Sequence, residues 1–115
     1  MQENIRHQNL ADGRWGELSF YEQMGNIGSE VGRAIAWQKK QDTIHREKAL
    51  ERMFELIDLT IRDERWRRSF PRLKELLRAR EVLADYFYVD NIYCSLPEQL
   101  ERYFYYFAFV ARRGR

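Results

Sequence analysis

A run of aromatic residues near the carboxyl end constrains the fold of this chain more than any other feature. Residues 103–109 read YFYYFAF, so six of these seven side chains are aromatic. With about 3.6 residues per helical turn, no single face of a helix can hold them all, and Tyr105, Tyr106 and Phe109 fall away from the rest. A helix that is apolar all round must be covered all round. We therefore expect part of the cover to come from a second copy of the chain or from another protein.

Length and composition predict one folded helical domain. The chain has 115 residues, of which 44% are hydrophobic and 33% are charged, enough for a core without disulfides or metals. No uncharged apolar stretch is long enough for a membrane span, and the first fifteen residues lack the apolar region of a secretory signal. The single cysteine, Cys94, excludes an internal disulfide and a multi-cysteine zinc site. The sequence therefore predicts a cytoplasmic protein without a cofactor.

The net charge of +2 hides a basic segment. Residues 62–80 carry eight basic and three acidic side chains, and sixteen of the twenty basic residues in the chain are arginine. The guanidinium fork suits phosphate better than the point charge of lysine does. A solvated, charge-rich helix face is the plain alternative. The candidate nucleic-acid-binding residues are Arg62, Arg65, Trp66, Arg67, Arg68, Arg72, Arg112, Arg113 and Arg115.

Start signals and apolar periodicity divide the chain into an N-terminal arm (1–18), a four-helix region (19–112) and a basic tail (113–115). Ser19 and Glu22 have the spacing of a capping box, and Asp42 or Thr43 begins the second helix. Pro71 marks the third start, and a second capping box, from Ser95 to Glu98, marks the fourth. Short connections between long amphipathic helices predict an all-α, antiparallel up-down-up-down four-helix bundle.

The first predicted helix carries a strip of small residues that includes Gly25, Gly28 and Gly32. Each glycine inside a helix costs roughly 1 kcal/mol relative to alanine. Such a strip indicates that another helix lies close against the backbone. A tight crossing within the chain is favoured over a contact between subunits.

Arg80 falls in the middle of the apolar stripe of the third predicted helix. The stripe consists of Leu73, Leu76, Leu77, Leu83, Ala84 and Phe87. An unpaired buried charge is very costly, so a buried arginine needs a carboxylate partner. Asp58 and Glu30 are the candidate partners on other helices. The sequence thus predicts a buried ion pair, Arg80 with Asp58, that fixes the helix register.

No catalytic or metal-binding signature occurs in the sequence. His7 and His45 have no cysteine or serine at a motif-like spacing, and there is no glycine-rich phosphate loop. The paired Glu-x-x-His motifs of di-iron bundles are absent. The arginine–histidine spacing of small helical RNA-cleaving toxins is absent as well. We expect a protein that is not an enzyme, has no metal and acts on no small-molecule substrate.

As a basic, single-domain chain of four predicted helices, the protein resembles the bacterial "four helix bundle protein" group over its whole length. Residues 18–37, LSFYEQMGNIGSEVGRAIAW, also resemble short bacterial proteins of unknown role. The group includes proteins encoded within intervening sequences of 23S ribosomal RNA genes. It also includes accessory variability proteins of diversity-generating retroelements, which form oligomers, bind nucleic acid and associate with a reverse transcriptase.

The resemblance implies a homo-oligomeric accessory protein with RNA or DNA, and a reverse transcriptase or another protein, as partners. It carries no residue-level motif, so it assigns no site residues. A protein–protein interaction module without nucleic-acid binding is the first alternative. A small helical RNA-acting, toxin-like protein is the second. Salt dependence separates nucleic-acid binding from the first alternative, because phosphate binding weakens steeply with salt.

Overall fold

Six helices lie within residues 13–114, the part of the chain that the computed structural model describes, and no strand occurs in that range. The prediction of an all-α protein is confirmed. Residues 1–12 of the predicted arm and Arg115 of the predicted tail lie outside the described residues. The helices are α1 (Trp15–Glu17), α2 (Phe20–Lys39), α3 (Thr43–Arg62), α4 (Glu64–Arg67), α5 (Phe70–Tyr88) and α6 (Pro97–Arg113).

The first two long helices begin where local chemistry predicts. The Ser19 hydroxyl accepts a hydrogen bond from the Glu22 amide at 3.1 Å, and the Glu22 carboxylate accepts one from the Ser19 amide at 2.9 Å. This reciprocal pair confirms the predicted capping box. Asp42 caps α3 through its carboxylate, which accepts from the His45 amide at 3.1 Å.

The predicted capping box from Ser95 to Glu98 is wrong. Leu96 is the N-cap of α6, and the Gln99 side chain accepts a hydrogen bond from the Leu96 amide at 3.0 Å. Ser95 instead belongs to the preceding loop, because the Asn91 side chain bonds both its amide (2.9 Å) and its carbonyl (3.1 Å). Asn91 has a positive φ of 53°, a conformation that asparagine tolerates better than most residues.

Helix α2 lies between α3 and α6 and runs antiparallel to both. Near its start, Gln23 bonds Asp63 just after α3, and near its end Gln38 bonds Arg46 at the start of α3. On its other side, Gly25 lies against Ala108 of α6. Helix α5 packs antiparallel on α3 and makes far fewer contacts with α6. A groove therefore separates α5 from α6.

The core is the set of apolar side chains that the four long helices turn toward each other. Burial of each large side chain contributes about 1.5–3 kcal/mol. Of the leucines predicted on the apolar face of α5, Leu76 and Leu83 are buried, whereas Leu77 is half exposed. The fully buried large apolar side chains are Met24, Ile27, Val31, Ile35, Leu50, Met53, Ile57, Leu76 and Leu83.

Two of the three strip glycines bring α2 and α6 into close contact. A Cβ placed on Gly28 would lie 2.4 Å from the Cβ of Phe104, and one on Gly25 would lie 3.2 Å from the Cα of Ala108. The prediction of a tight crossing within the chain is confirmed at both positions. Gly32 differs, because a Cβ there meets no atom within 4 Å. The two helices leave a shallow depression beside Gly32, so close packing in the single chain does not extend to it.

The ion pair of Arg80 with Asp58 exists, but the prediction that it is buried is wrong. The Arg80 Nε lies 2.9 Å from Asp58 Oδ1, while 42% and 41% of the two side chains stay exposed. Arg80 lies at the edge of the α3–α5 contact, over the Phe54 ring, rather than in the core. Two carboxylates are buried instead. Glu30 lies 3.2 Å from Arg52, and Asp85 accepts hydrogen bonds from the Ile92 and Tyr93 amides at 2.9 and 3.1 Å.

No helix in the described part of the chain is long and apolar enough to cross a membrane.

Candidate functional site

The basic turn, residues 62–72, is built around an additional short helix that the sequence does not predict. Asp63 caps this helix, α4, by accepting from the Arg65 amide at 3.0 Å. The Arg65 guanidinium donates two hydrogen bonds to the same carboxylate, at 2.7 and 3.1 Å. It also donates to the Leu18 carbonyl at 2.8 Å. Arg65 therefore ties the turn to the start of α2.

A buried polar network holds the turn from beneath. The Gln23 side chain, fully buried, accepts from Trp66 Nε1 at 2.7 Å and donates to the Trp15 carbonyl at 2.8 Å. Trp15 Nε1 donates to the Thr60 hydroxyl at 3.0 Å. Every one of these donors finds an acceptor, as buried polar groups require. Nothing in the sequence pattern singles out Gln23 or Thr60 for this network.

Arg72 and Trp66 also belong to the packing of the turn. The Arg72 guanidinium carbon lies 4.4 Å from the Phe20 ring centroid and 5.2 Å from the Trp66 ring centroid. Phe20 and Trp66 form an edge-to-face pair at 5.1 Å. Of the candidate binding residues, Arg65, Trp66 and Arg72 thus have partners within the chain.

The other three candidates in the turn point into solvent around a depression of about 300 Å³, which they line together with Glu64. Arg62 and Arg67 are exposed and make no ion pair with any residue of the described range. Arg68 lies 3.5 Å from Glu64, with 82% of both side chains exposed. Such an exposed pair contributes about 0–1 kcal/mol and opens readily to an anion.

The exposed side of α6, which borders α2 along one edge, combines arginines with exposed aromatic rings. The Arg112 guanidinium lies 5.7 Å from the Tyr105 ring centroid, and that of Arg113 lies 5.6 Å from Phe109. Sequence analysis missed Arg102, which the spacing of three and four residues to Tyr105 and Tyr106 could have indicated. We call this surface the α6 outer face: Arg102, Tyr105, Tyr106, Phe109, Arg112 and Arg113.

The basic turn and the end of α6 lie at the same end of the molecule. Leu18 connects them, because its carbonyl binds Arg65 and its side chain lines a depression shared with Arg112. The Phe20 ring contacts Trp66 on one side and Phe107 of α6 on the other, at 5.1 and 6.0 Å. The fold thus brings together two arginine clusters that are about forty residues apart in sequence.

The groove between α5 and α6 is a separate feature of about 600 Å³. Its floor is Leu83, Leu100 and Phe104, all buried, and Lys74 and Arg78 flank it. The Tyr103 hydroxyl donates across the groove to Glu75 at 2.9 Å. Burial, together with the nearby Glu75 charge, raises the pKa of Tyr103 well above its usual value. Tyr103 therefore stays protonated and keeps the two helices connected.

Asp63 gives the turn a predictable dependence on pH. Hydrogen bonds from the Arg65 guanidinium, helped by the Arg65 amide and Gln23, hold the pKa of Asp63 below its usual value. A lowered folded-state pKa adds stability above the unfolded value of about 3.9, and this stability is lost as pH falls through the folded-state pKa.

We expect Asp63→Asn to lower the free energy of unfolding at pH 6. The difference from the unaltered protein should shrink as pH falls from about 4 toward 2, because the unaltered Asp63 then becomes protonated. Urea unfolding followed by circular dichroism at several pH values measures this difference. A difference that stays constant over this range would contradict the assignment.

Comparisons of the chain with protein-family models, with curated proteins and with solved structures give no match.

Proposed function

We propose that this protein is a non-enzymatic, self-associating four-helix bundle that binds nucleic acid through its arginine-rich end. The observation that carries the proposal is the meeting of two exposed arginine clusters at one end of the molecule. One consists of Arg62, Arg67 and Arg68 in the basic turn, and the other of Arg112 and Arg113 at the end of α6. Repeated exposed guanidinium groups at one end favour a polyanion over a single small anion.

The α6 outer face favours single-stranded nucleic acid over a duplex. Single strands bind where cations follow the backbone and aromatic rings stack on the bases, at about 1–3 kcal/mol per stacked base. Tyr105 and Tyr106 expose 59% and 57% of their surface beside Arg112 and Arg102. We assign phosphate binding to the exposed arginines and base stacking to these two tyrosines. Arg65 and Arg72 hold the turn in shape.

The resemblance to accessory variability proteins supports a role beside a nucleic-acid-processing partner such as a reverse transcriptase. A nucleic-acid-binding bundle delivers or positions RNA or DNA for that partner without doing chemistry itself.

The α5–α6 groove favours a second candidate function, which is protein interaction without nucleic acid. An apolar floor flanked by Lys74 and Arg78 suits an amphipathic helix with acidic flanks. The exposed arginines would then bind the acidic residues of that partner.

Charge reversal at the turn tests the proposal. The double variant Arg67→Glu/Arg68→Glu should weaken binding of a fluorescent uridine 20-mer by roughly tenfold or more. Because two phosphate contacts are lost, the slope of log affinity against log salt concentration should also become less negative by about 1.4. The matched control is Lys39→Glu/Lys40→Glu, which makes the same charge change on exposed residues at the opposite end of α2. Fluorescence anisotropy measures both variants, and circular dichroism checks that both keep their helices.

The control decides what a loss of binding means. Binding that survives in the lysine variant and fails in the arginine variant supports a site at the arginine-rich end. Equal losses in both variants would indicate a dependence on net charge alone and would contradict a defined site.

A further inference from the structure

The outward face of α5 carries a straight row of residues spaced alternately by four and three. Phe70, Leu77 and Tyr88 on this row expose 75%, 50% and 53% of their surface. Alternation of four and three is the spacing with which one helix packs along another. We call this row the α5 seam: Phe70, Lys74, Leu77, Glu81, Ala84 and Tyr88.

The neighbours of α5 within the chain flank the seam and reach two of its residues, since Tyr88 lies against α3 and Lys74 lines the groove toward α6. On one side, Arg80 contacts Asp58 and Phe54 of α3, and the Tyr88 hydroxyl reaches Glu47 at 3.3 Å. On the other side, Val82 faces the groove toward α6. Phe70 and Leu77 therefore stand between these two contacts, with half or more of their surface in water.

The charges on the seam are self-complementary. It has one cation, Lys74, and one anion, Glu81, both exposed. In an antiparallel pair of α5 helices with Phe70 opposite Tyr88, Lys74 of one copy lies opposite Ala84 of the other. Glu81 of that copy is then three residues away, about 4.5 Å along the axis. A two-fold axis forms this ion pair twice, whereas a parallel pair in register would place like charges opposite each other.

We propose that the α5 seam is a two-fold interface that joins this chain to a second copy, with the two α5 helices antiparallel. Phe70 of each copy packs on Tyr88 of the other, Leu77 lies two residues from the two-fold axis and opposite Glu81 of the other copy, and Lys74 pairs with Glu81. Ala84 is small and leaves room for the lysine stem. This interface rests on the self-association in the proposed function and specifies the surface that carries it.

The antiparallel arrangement has a consequence for nucleic-acid binding. Helix α5 starts at the basic turn, so a two-fold pair places the two arginine-rich ends at opposite ends of the dimer. Nineteen residues of α5 span about 28 Å. Each copy therefore binds nucleic acid on its own, and breaking the dimer leaves the affinity per chain intact.

Sedimentation velocity on the full chain at micromolar concentrations tests the interface with five variants. Leu77→Glu should give a monomer. Lys74→Glu and Glu81→Lys should each weaken the dimer at least about tenfold, and the double swap Lys74→Glu/Glu81→Lys should restore it to within about threefold. Tyr106→Glu on the α6 outer face should leave the dimer unchanged. Circular dichroism checks the fold of each variant, and the swap keeps the test valid if Leu77→Glu does not fold.

Three outcomes would overturn the inference. A dimer in Leu77→Glu that Tyr106→Glu breaks would place self-association on α6. Failure of the double swap to restore what the single reversals lose would reject the antiparallel register. An unaltered chain that is a monomer at high concentration would reject both the seam and the proposed self-association. RNA binding by such a monomer would still support the nucleic-acid part of the proposed function.

Discussion

Gly28→Leu is expected to lower the free energy of unfolding by about 1–3 kcal/mol or more. A Cβ at this position would lie 2.4 Å from the Cβ of Phe104, an atom fixed to the backbone of α6. No change of rotamer at Phe104 moves that atom away, so α6 has to shift from α2. Urea unfolding followed by circular dichroism measures the loss.

Gly32→Ala is the matched control for the glycine strip. A Cβ on Gly32 meets no atom within 4 Å, so the substitution adds helix propensity without a clash. We expect it to raise the free energy of unfolding by up to about 1 kcal/mol. Equal destabilisation at both glycines would contradict the description of the α2–α6 crossing.

Glu30→Ala is expected to cost about 3 kcal/mol of stability. Only 7% of the Glu30 side chain is exposed, and its two oxygens lie 2.8 Å from Arg33 and 3.2 Å from Arg52. Removing one partner of a buried ion pair typically costs about 3–5 kcal/mol. We expect the lower end of this range because half of the Arg33 side chain remains in water.

Arg80→Ala provides the comparison, because its pair with Asp58 has similar geometry but is more exposed to solvent. An ion pair with about two fifths of each side chain exposed contributes about 0–1 kcal/mol. Thermal unfolding of Glu30→Ala and Arg80→Ala shows which substitution lowers stability more. A larger loss in Arg80→Ala than in Glu30→Ala would show that burial does not decide the effect.

Features set by local chemistry could be predicted from the sequence. The start of α2 follows from the reciprocal bonds of Ser19 and Glu22, which depend on a spacing of three residues alone. The close approach of α6 to Gly25 and Gly28 follows from the cost of glycine in a helix.

Features set by helix rotation and by long-range contacts could not be predicted. Periodicity placed Arg80 and Leu77 on the apolar face, whereas a small rotation of α5 puts Arg80 at the edge and Leu77 in water. The start of α6 depends on Asn91, whose bonds withdraw Ser95 from the helix.

The candidate site shows the same division between local and long-range causes. The arginine content of residues 62–72 indicated a basic surface. It did not indicate which of these arginines make contacts within the chain and which stay exposed. Arg65 is held by Asp63 and Leu18, a contact across 47 residues that no local pattern contains. Likewise, the position of Arg112 beside Leu18 depends on the packing of α6 against α2.

The salt dependence of RNA affinity tests nucleic-acid binding most directly. The measurement is the dissociation constant of the unaltered chain for a fluorescent uridine 20-mer, taken between about 50 and 200 mM salt. With three to five exposed arginines bound to phosphate, the plot of log affinity against log salt should have a slope of about −2 to −3.5. A slope near zero, or no binding at the lowest salt, would contradict the account.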